Sequence, residues 1–79
     1  MINRGRIAIM AIMVHIGDRL KAIRQRKLMS QRDLAEKAGI SQNALVQIEN
    51  DRTEPHYRTL RKLVEALEVD PSDLIGGDE

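Results

Sequence analysis

The chain has 79 residues, 13 Lys and Arg against 12 Asp and Glu, no cysteine, and Tyr57 as its only aromatic. That length predicts one domain around one small core, with no room for a separate sensor or catalytic domain. Lack of cysteine excludes a disulfide framework and a thiolate zinc site. Near-absence of aromatics disfavours a sheet that stacks RNA bases on rings, so the core must be aliphatic.

In chain order, residues 1–6 (MINRGR) read as a basic start, and residues 7–14 (IAIMAIMV) form the longest unbroken apolar run. Eight residues are too few to cross a bilayer, which takes roughly 20. No small-residue cleavage site follows the run, so a secretory signal is not expected either. Isoleucine or valine at positions 7, 9, 12 and 14 favours a strand, and an unpaired strand invites antiparallel pairing with the same strand of a second subunit. A helical reading stays open, because Ile9, Ile12, Met13, Ile16 and Leu20 share a face leading into the first helix. So does a start at Met10 or Met13, which would make the run an extension without a role. Residues 1–15 are therefore expected to form an N-terminal extension, a candidate dimerisation strand.

A first helix is predicted from Gly17 to Lys27, burying Leu20 and Ile23, with Leu28 closing the corner. Ser30 then caps a helix whose Leu34, Ala35 and Ala38 recur on one side. Gly39 supplies a left-handed stop. Ile40 plugs the turn, Ser41 caps the next helix, and Leu45 and Ile48 face inward. Residues 31–50 thus have the spacing of a helix-turn-helix, the unit that lays a short helix in the DNA major groove. The remaining face of its second helix carries Gln42, Asn43, Val46, Gln47 and Asn50. These side chains are suited to reading base edges or gripping phosphates.

The loop Asp51–His56 contains Pro55, which disfavours helix at Glu54. A fourth helix, Tyr57 to Glu68, presents Leu60, Leu63, Val64 and Leu67 as a buried stripe. Asp70 is expected to cap a short fifth helix with Pro71 in its first position, from which Leu74 and Ile75 pack back. Residues 76–79 read as a frayed acidic tail. Five short helices with short connections define an all-α orthogonal bundle over residues 16–75.

The net charge of +1 is distributed unevenly: +6 over residues 1–27, −1 over 28–50 and −4 over 51–79. Such polarity could orient the chain on a polyanion, or the acids could simply solvate the last helices. His15 and His56 are too isolated for a metal site, and the Ser, His and Asp residues carry no geometric signal of a triad. Gly76-Gly77 lacks the following Lys or helix of a phosphate loop. Neither catalysis nor a cofactor is expected, and the four methionines read as core or interface filler.

The stretch MSQRDLAEKAGISQNALVQIENDRTEP, with GDRLKAIRQRK before it and RTLRKLVEALEVDPSDLIG after it, resembles the Cro and phage-repressor family of Xre-type regulators. The resemblance runs from about Ile16 to Ile75. Its most specific elements are Ser30-Gln31, Gly39-Ile40-Ser41, Ile48-Glu49-Asn50 and Pro55. The family's fold would be a five-helix, lambda-repressor-like DNA-binding bundle. By the same resemblance Gln31 would touch the phosphate backbone, and Arg24 would pair with Glu49 to set the angle between the first and third helices. One departure stands out: the family has glycine after Asn50, and this chain has Asp51. Asp tolerates the left-handed conformation, but its carboxylate near phosphates is unhelpful.

The expected function is a sequence-specific DNA-binding transcriptional regulator, a repressor acting as a homodimer on a palindromic operator in a prokaryotic or phage cytoplasm. Its expected DNA contacts are Gln31, Ser41, Gln42, Asn43, Val46, Gln47, Asn50, Arg52 and Thr53. Two alternatives stay open. One is an antitoxin that binds a small toxin protein and its own promoter. The other is a protein-interaction module without specific DNA binding.

Overall fold

A computed structural model describes residues 16–75, with side-chain surroundings through Leu74. The extension over 1–15, including its expected strand, and the tail over 76–79 lie outside the described residues, as does the side chain of Ile75. Five helices follow in order: α1 (Ile16–Arg26), α2 (Gln31–Ala38), α3 (Gln42–Glu49), α4 (Tyr57–Leu67) and α5 (Pro71–Ile75). No strand occurs among the described residues, so the all-α bundle expected from the sequence is the fold.

The core is aliphatic because periodic Leu, Ile and Ala residues from all five helices converge on one cluster. Ile16, Leu20, Leu34, Leu45, Leu63, Leu67 and Leu74 are fully buried, and Ile23, Ala35, Ala38, Ile48 and Ala66 complete the centre. Each large side chain withdrawn from water in this way contributes about 1.5–3 kcal/mol before entropic costs. Met29, Ile40, Leu60, Val64 and Val69 pack around the centre as half-buried neighbours. The main packing partners are α1 with α3, α2 with both α3 and α4, and α5 with α1.

The helix ends follow their capping residues. Ser30 and Asp33 form a reciprocal capping box at α2: the Ser30 hydroxyl accepts from the Asp33 N–H at 2.9 Å, and the Asp33 carboxylate accepts from the Ser30 N–H at 3.0 Å. Gly39 ends α2 at φ 75°, the left-handed stop expected of it. Ser41 accepts from the Ala44 N–H at 3.0 Å and starts α3. At α5 the expected Asp70 cap differs: its N–H donates to the Asp73 carboxylate at 3.2 Å, and its own carboxylate accepts no hydrogen bond among the described residues.

Leu28 departs from expectation. Instead of closing the corner after α1 it is 92% exposed, at φ 58°. Its N–H donates to the Gln25 carbonyl, and the next N–H, of Met29, donates to the Arg24 carbonyl. This closure throws Leu28 outward and turns Met29 in against the core, so Met29 fills the corner assigned to Leu28. Leu28 is apolar, but the turn geometry decides which residue points inward.

Candidate nucleic-acid interface

Helix α3 is held by its inner face and its C-terminal end. Leu45 and Ile48 anchor it in the core, and Glu49 beside them is buried. The Glu49 carboxylate takes two bonds from one guanidinium: Arg24 Nε to Oε2 at 2.7 Å and Arg24 Nη2 to Oε1 at 3.1 Å. Side-chain exposure is 9% for Arg24 and 1% for Glu49, so the pair lies out of reach of most screening by salt. The third guanidinium nitrogen, Nη1, donates to the Met29 carbonyl at 2.8 Å. One planar fork therefore ties α1 to the end of α3 and to the corner before α2.

Gln31 joins this network. Its Nε2 donates to Glu49 Oε1 at 3.1 Å, and the side chain is only half exposed. The phosphate contact expected of this amide leaves its bond to Glu49 unforeseen. An amide has two N–H donors and a carbonyl, and one donor is taken up within the chain.

A second contact at the same end was not anticipated. Asn50 and Asp51 follow α3, Asp51 has φ 57°, and the Arg52 N–H reaches back to the Gln47 carbonyl at 2.9 Å. This is the left-handed helix stop that glycine usually makes, and Asp51 makes it here. Its carboxylate accepts from the Gly17 N–H, at the start of α1, at 3.1 Å. A negative charge at a helix N-terminus is favourable, so the charge that looked unhelpful near phosphates has a partner inside the fold. Gly17 is needed for the approach: a Cβ there would lie 2.6 Å from the Ile48 carbonyl oxygen and 2.7 Å from that of Glu49. The residue types could not reveal this contact, which spans 34 positions.

What remains of α3 faces outward. Gln42, Asn43 and Asn50 are exposed, as are Arg52 and Thr53 in the following loop, while Val46 and Gln47 are half-buried. Ser41 is exposed, its hydroxyl oxygen occupied by the cap. Among the described residues, the side chains of Gln42, Asn43, Gln47 and Arg52 enter no hydrogen bond with another residue. The result is a fixed helix whose N-terminal and outer positions carry unspent amide donors and acceptors. Beside it, Asp33 in the capping box of α2 is held below its ordinary pKa by the Ser30 backbone N–H, then by the Ser30 hydroxyl.

Comparison with known proteins places the chain in a family. Residues 20–74 match the model of the helix-turn-helix family, and the chain belongs to that family. It is 41% identical over 61 residues to the immunity repressor protein of Bacillus phage phi105, covering 77% of this chain and 42% of that protein. The chain thus spans less than half the length of that relative. Among solved structures it resembles the restriction-modification controller protein C.AhdI from Aeromonas hydrophila. That likeness has TM-score 0.76 and 30% identity, over 81% of this chain and 97% of that one. It also resembles the P22 c2 repressor in complex with a synthetic operator, with TM-score 0.72 and 35% identity over 80% of this chain and 96% of that one.

No described helix is long and apolar enough to cross a membrane. Among the described residues no three His, Asp or Glu side chains gather as metal ligands.

Proposed function

We propose that the chain is a sequence-specific DNA-binding transcriptional regulator, a repressor that binds a palindromic operator as a homodimer and carries no catalytic activity. The observation that carries this is the outer face of α3, with its free amides held on a buried Arg24–Glu49 fork. Similarity to a phage immunity repressor and to a repressor solved on its operator supports it. One recognition helix spans only a few base pairs, and two-fold pairing would set two of them about 34 Å apart on one face of the duplex. Such a protein would work in the cytoplasm, where DNA is accessible. No observation favours the antitoxin or interaction-module alternatives.

In this reading Gln42 and Gln47 contact bases, with Asn43 and Val46 beside them. Ser41, Asn50, Arg52, Thr53 and the second amide hydrogen of Gln31 hold the backbone. The test is selection of bound sites from a random duplex pool, repeated with two variants. Gln42→Ala is expected to relax preference at one symmetric pair of positions, worth about 1–3 kcal/mol. Asn50→Ala is expected to weaken all sequences alike and leave their ranking unchanged. A motif unchanged by Gln42→Ala would remove Gln42 from base readout. Failure of the full chain to prefer any site would overturn the function.

A further inference from the structure

On the part of the bundle formed by α4 and α5, the fold leaves a groove of about 360 Å³ whose apolar floor is Tyr57, Leu60, Val64, Pro71 and Leu74, with Arg61 and Glu65 at its edge. Its mouth is marked by Tyr57, which is 71% exposed, the chain's one aromatic left in water. An exposed ring beside half-buried Leu60 and Val64 is an unfinished hydrophobic contact. The groove is built on α4 and α5, whereas the main packing partners of α3 are α1 and α2. An occupant of the groove therefore leaves the outer face of α3 clear.

The sequence supplies an occupant of matching chemistry. Residues 7–14, IAIMAIMV, are eight consecutive apolar residues without a charge, outside the described bundle and joined to α1 through His15 alone. We propose that this segment from a second copy of the chain lies in the α4–α5 groove, so that two subunits exchange arms. The inference rests on the homodimer reading above and assigns its contact surface. In extended form the segment offers alternate apolar side chains about 6–7 Å apart. From Tyr57 to Val64 α4 rises about 10 Å, a length that takes two or three of them.

A second copy, rather than the same chain, is the occupant that the homodimer reading calls for, since each subunit then presents its arm to its partner. The start of α1 is pinned against the end of α3 by the Gly17–Asp51 bond. A two-fold partner meets each arm with its own groove and gives two equivalent contacts per dimer.

The test uses the full chain and two variants. In the arm, Ile9→Asp with Ile12→Asp places charge in the apolar run and touches nothing in the described core. In the groove, Tyr57→Glu changes an exposed residue at the first position of α4, where an acid suits the helix and the bundle is retained. Mass is measured by light scattering over a concentration series, alone and after mixing the two variants, with site selection run alongside. The expected result is a dimer for the unaltered chain and self-association weakened at least about tenfold in each variant. Mixing should restore partial association, because one intact arm then meets one intact groove. A Tyr57→Glu chain that dimerises as tightly as the unaltered chain would overturn the groove assignment, as direct pairing of two arms predicts. So would an unaltered chain that stays monomeric while acrylamide quenching of Tyr57 shows protection independent of concentration, the sign of an arm docked on its own groove. Either result leaves operator selection intact, whereas loss of any preferred site refutes the regulator reading itself.

Discussion

Replacing Arg24 by Met should be among the most damaging single changes in the bundle, and the cost can be worked from the contacts it breaks. The substitution keeps much of the apolar stem but removes three bonds, at 2.7, 3.1 and 2.8 Å. The Glu49 carboxylate, 1% exposed, then keeps only the Gln31 amide at 3.1 Å. A buried charge deprived of its partner costs about 3–5 kcal/mol. Stability runs at roughly 0.05–0.15 kcal/mol per residue, or about 3–9 kcal/mol for a domain of this size. Arg24→Met should therefore consume much of the folding free energy, and Glu49→Leu nearly as much. The double variant buries two apolar side chains of similar size in place of the pair and should recover most of the loss, since such replacements are often neutral. Urea unfolding followed by far-ultraviolet circular dichroism gives each term, and the cycle should show coupling of at least about 2 kcal/mol, changed little by salt. If the single losses simply add in the double variant, or if each lies within about 0.5 kcal/mol as for an ordinary surface site, the fork does not hold α3.

Gly17→Ala should destabilise by about 1–3 kcal/mol, as an overpacked site does, because two of the atoms its Cβ would meet at 2.6–2.7 Å are backbone oxygens; thermal unfolding measures it. Leu28→Gly should stabilise: the left-handed residue is exposed, relief is worth about 1–2 kcal/mol, and the entropy of glycine returns roughly 0.5–1 kcal/mol of that. A melting temperature raised by a few degrees would show it. At Asp33, the folded carboxyl titrates below its ordinary value of 3.8. The capping box is therefore fully present above pH 3.8 and fails as pH falls through the lower folded value. Asp33→Asn should remove this part of the acid dependence of unfolding.

The helices and their caps were legible because they are local. Ser30, Gly39 and Ser41 act within four residues of their own positions, and the recurrence of Leu34, Ala35, Ala38, Leu45 and Ile48 encodes the buried faces. Leu28 departs from expectation for an equally local reason: apolar character suggests burial, but the turn after α1 requires one left-handed residue, and Leu28 occupies it. The outer face of α3 could be read by subtraction, as what remains once its inward residues are named. The contacts that fix α3 in place are of another kind. Asp51 with Gly17, and Gln31 with Glu49, join positions 34 and 18 apart. No periodicity links such positions, and a lone exposed Asp or Gln looks the same whether it has a distant partner or none.

Those long-range contacts change what Asp51 means. Considered alone, an aspartate in a glycine's place after α3 puts strain and negative charge beside the proposed DNA backbone. Within the fold the left-handed turn remains, and the carboxylate accepts the Gly17 N–H at the positive end of α1. Glycine would allow the turn more easily but offers no acceptor, so the residue exchanges backbone ease for a tie between two helices. With the Arg24 fork at the same end of α3, the tie gives that helix two holds on α1. Through the second of them, the start of α1, where residues 1–15 join the bundle, is fixed relative to the residues proposed to read DNA.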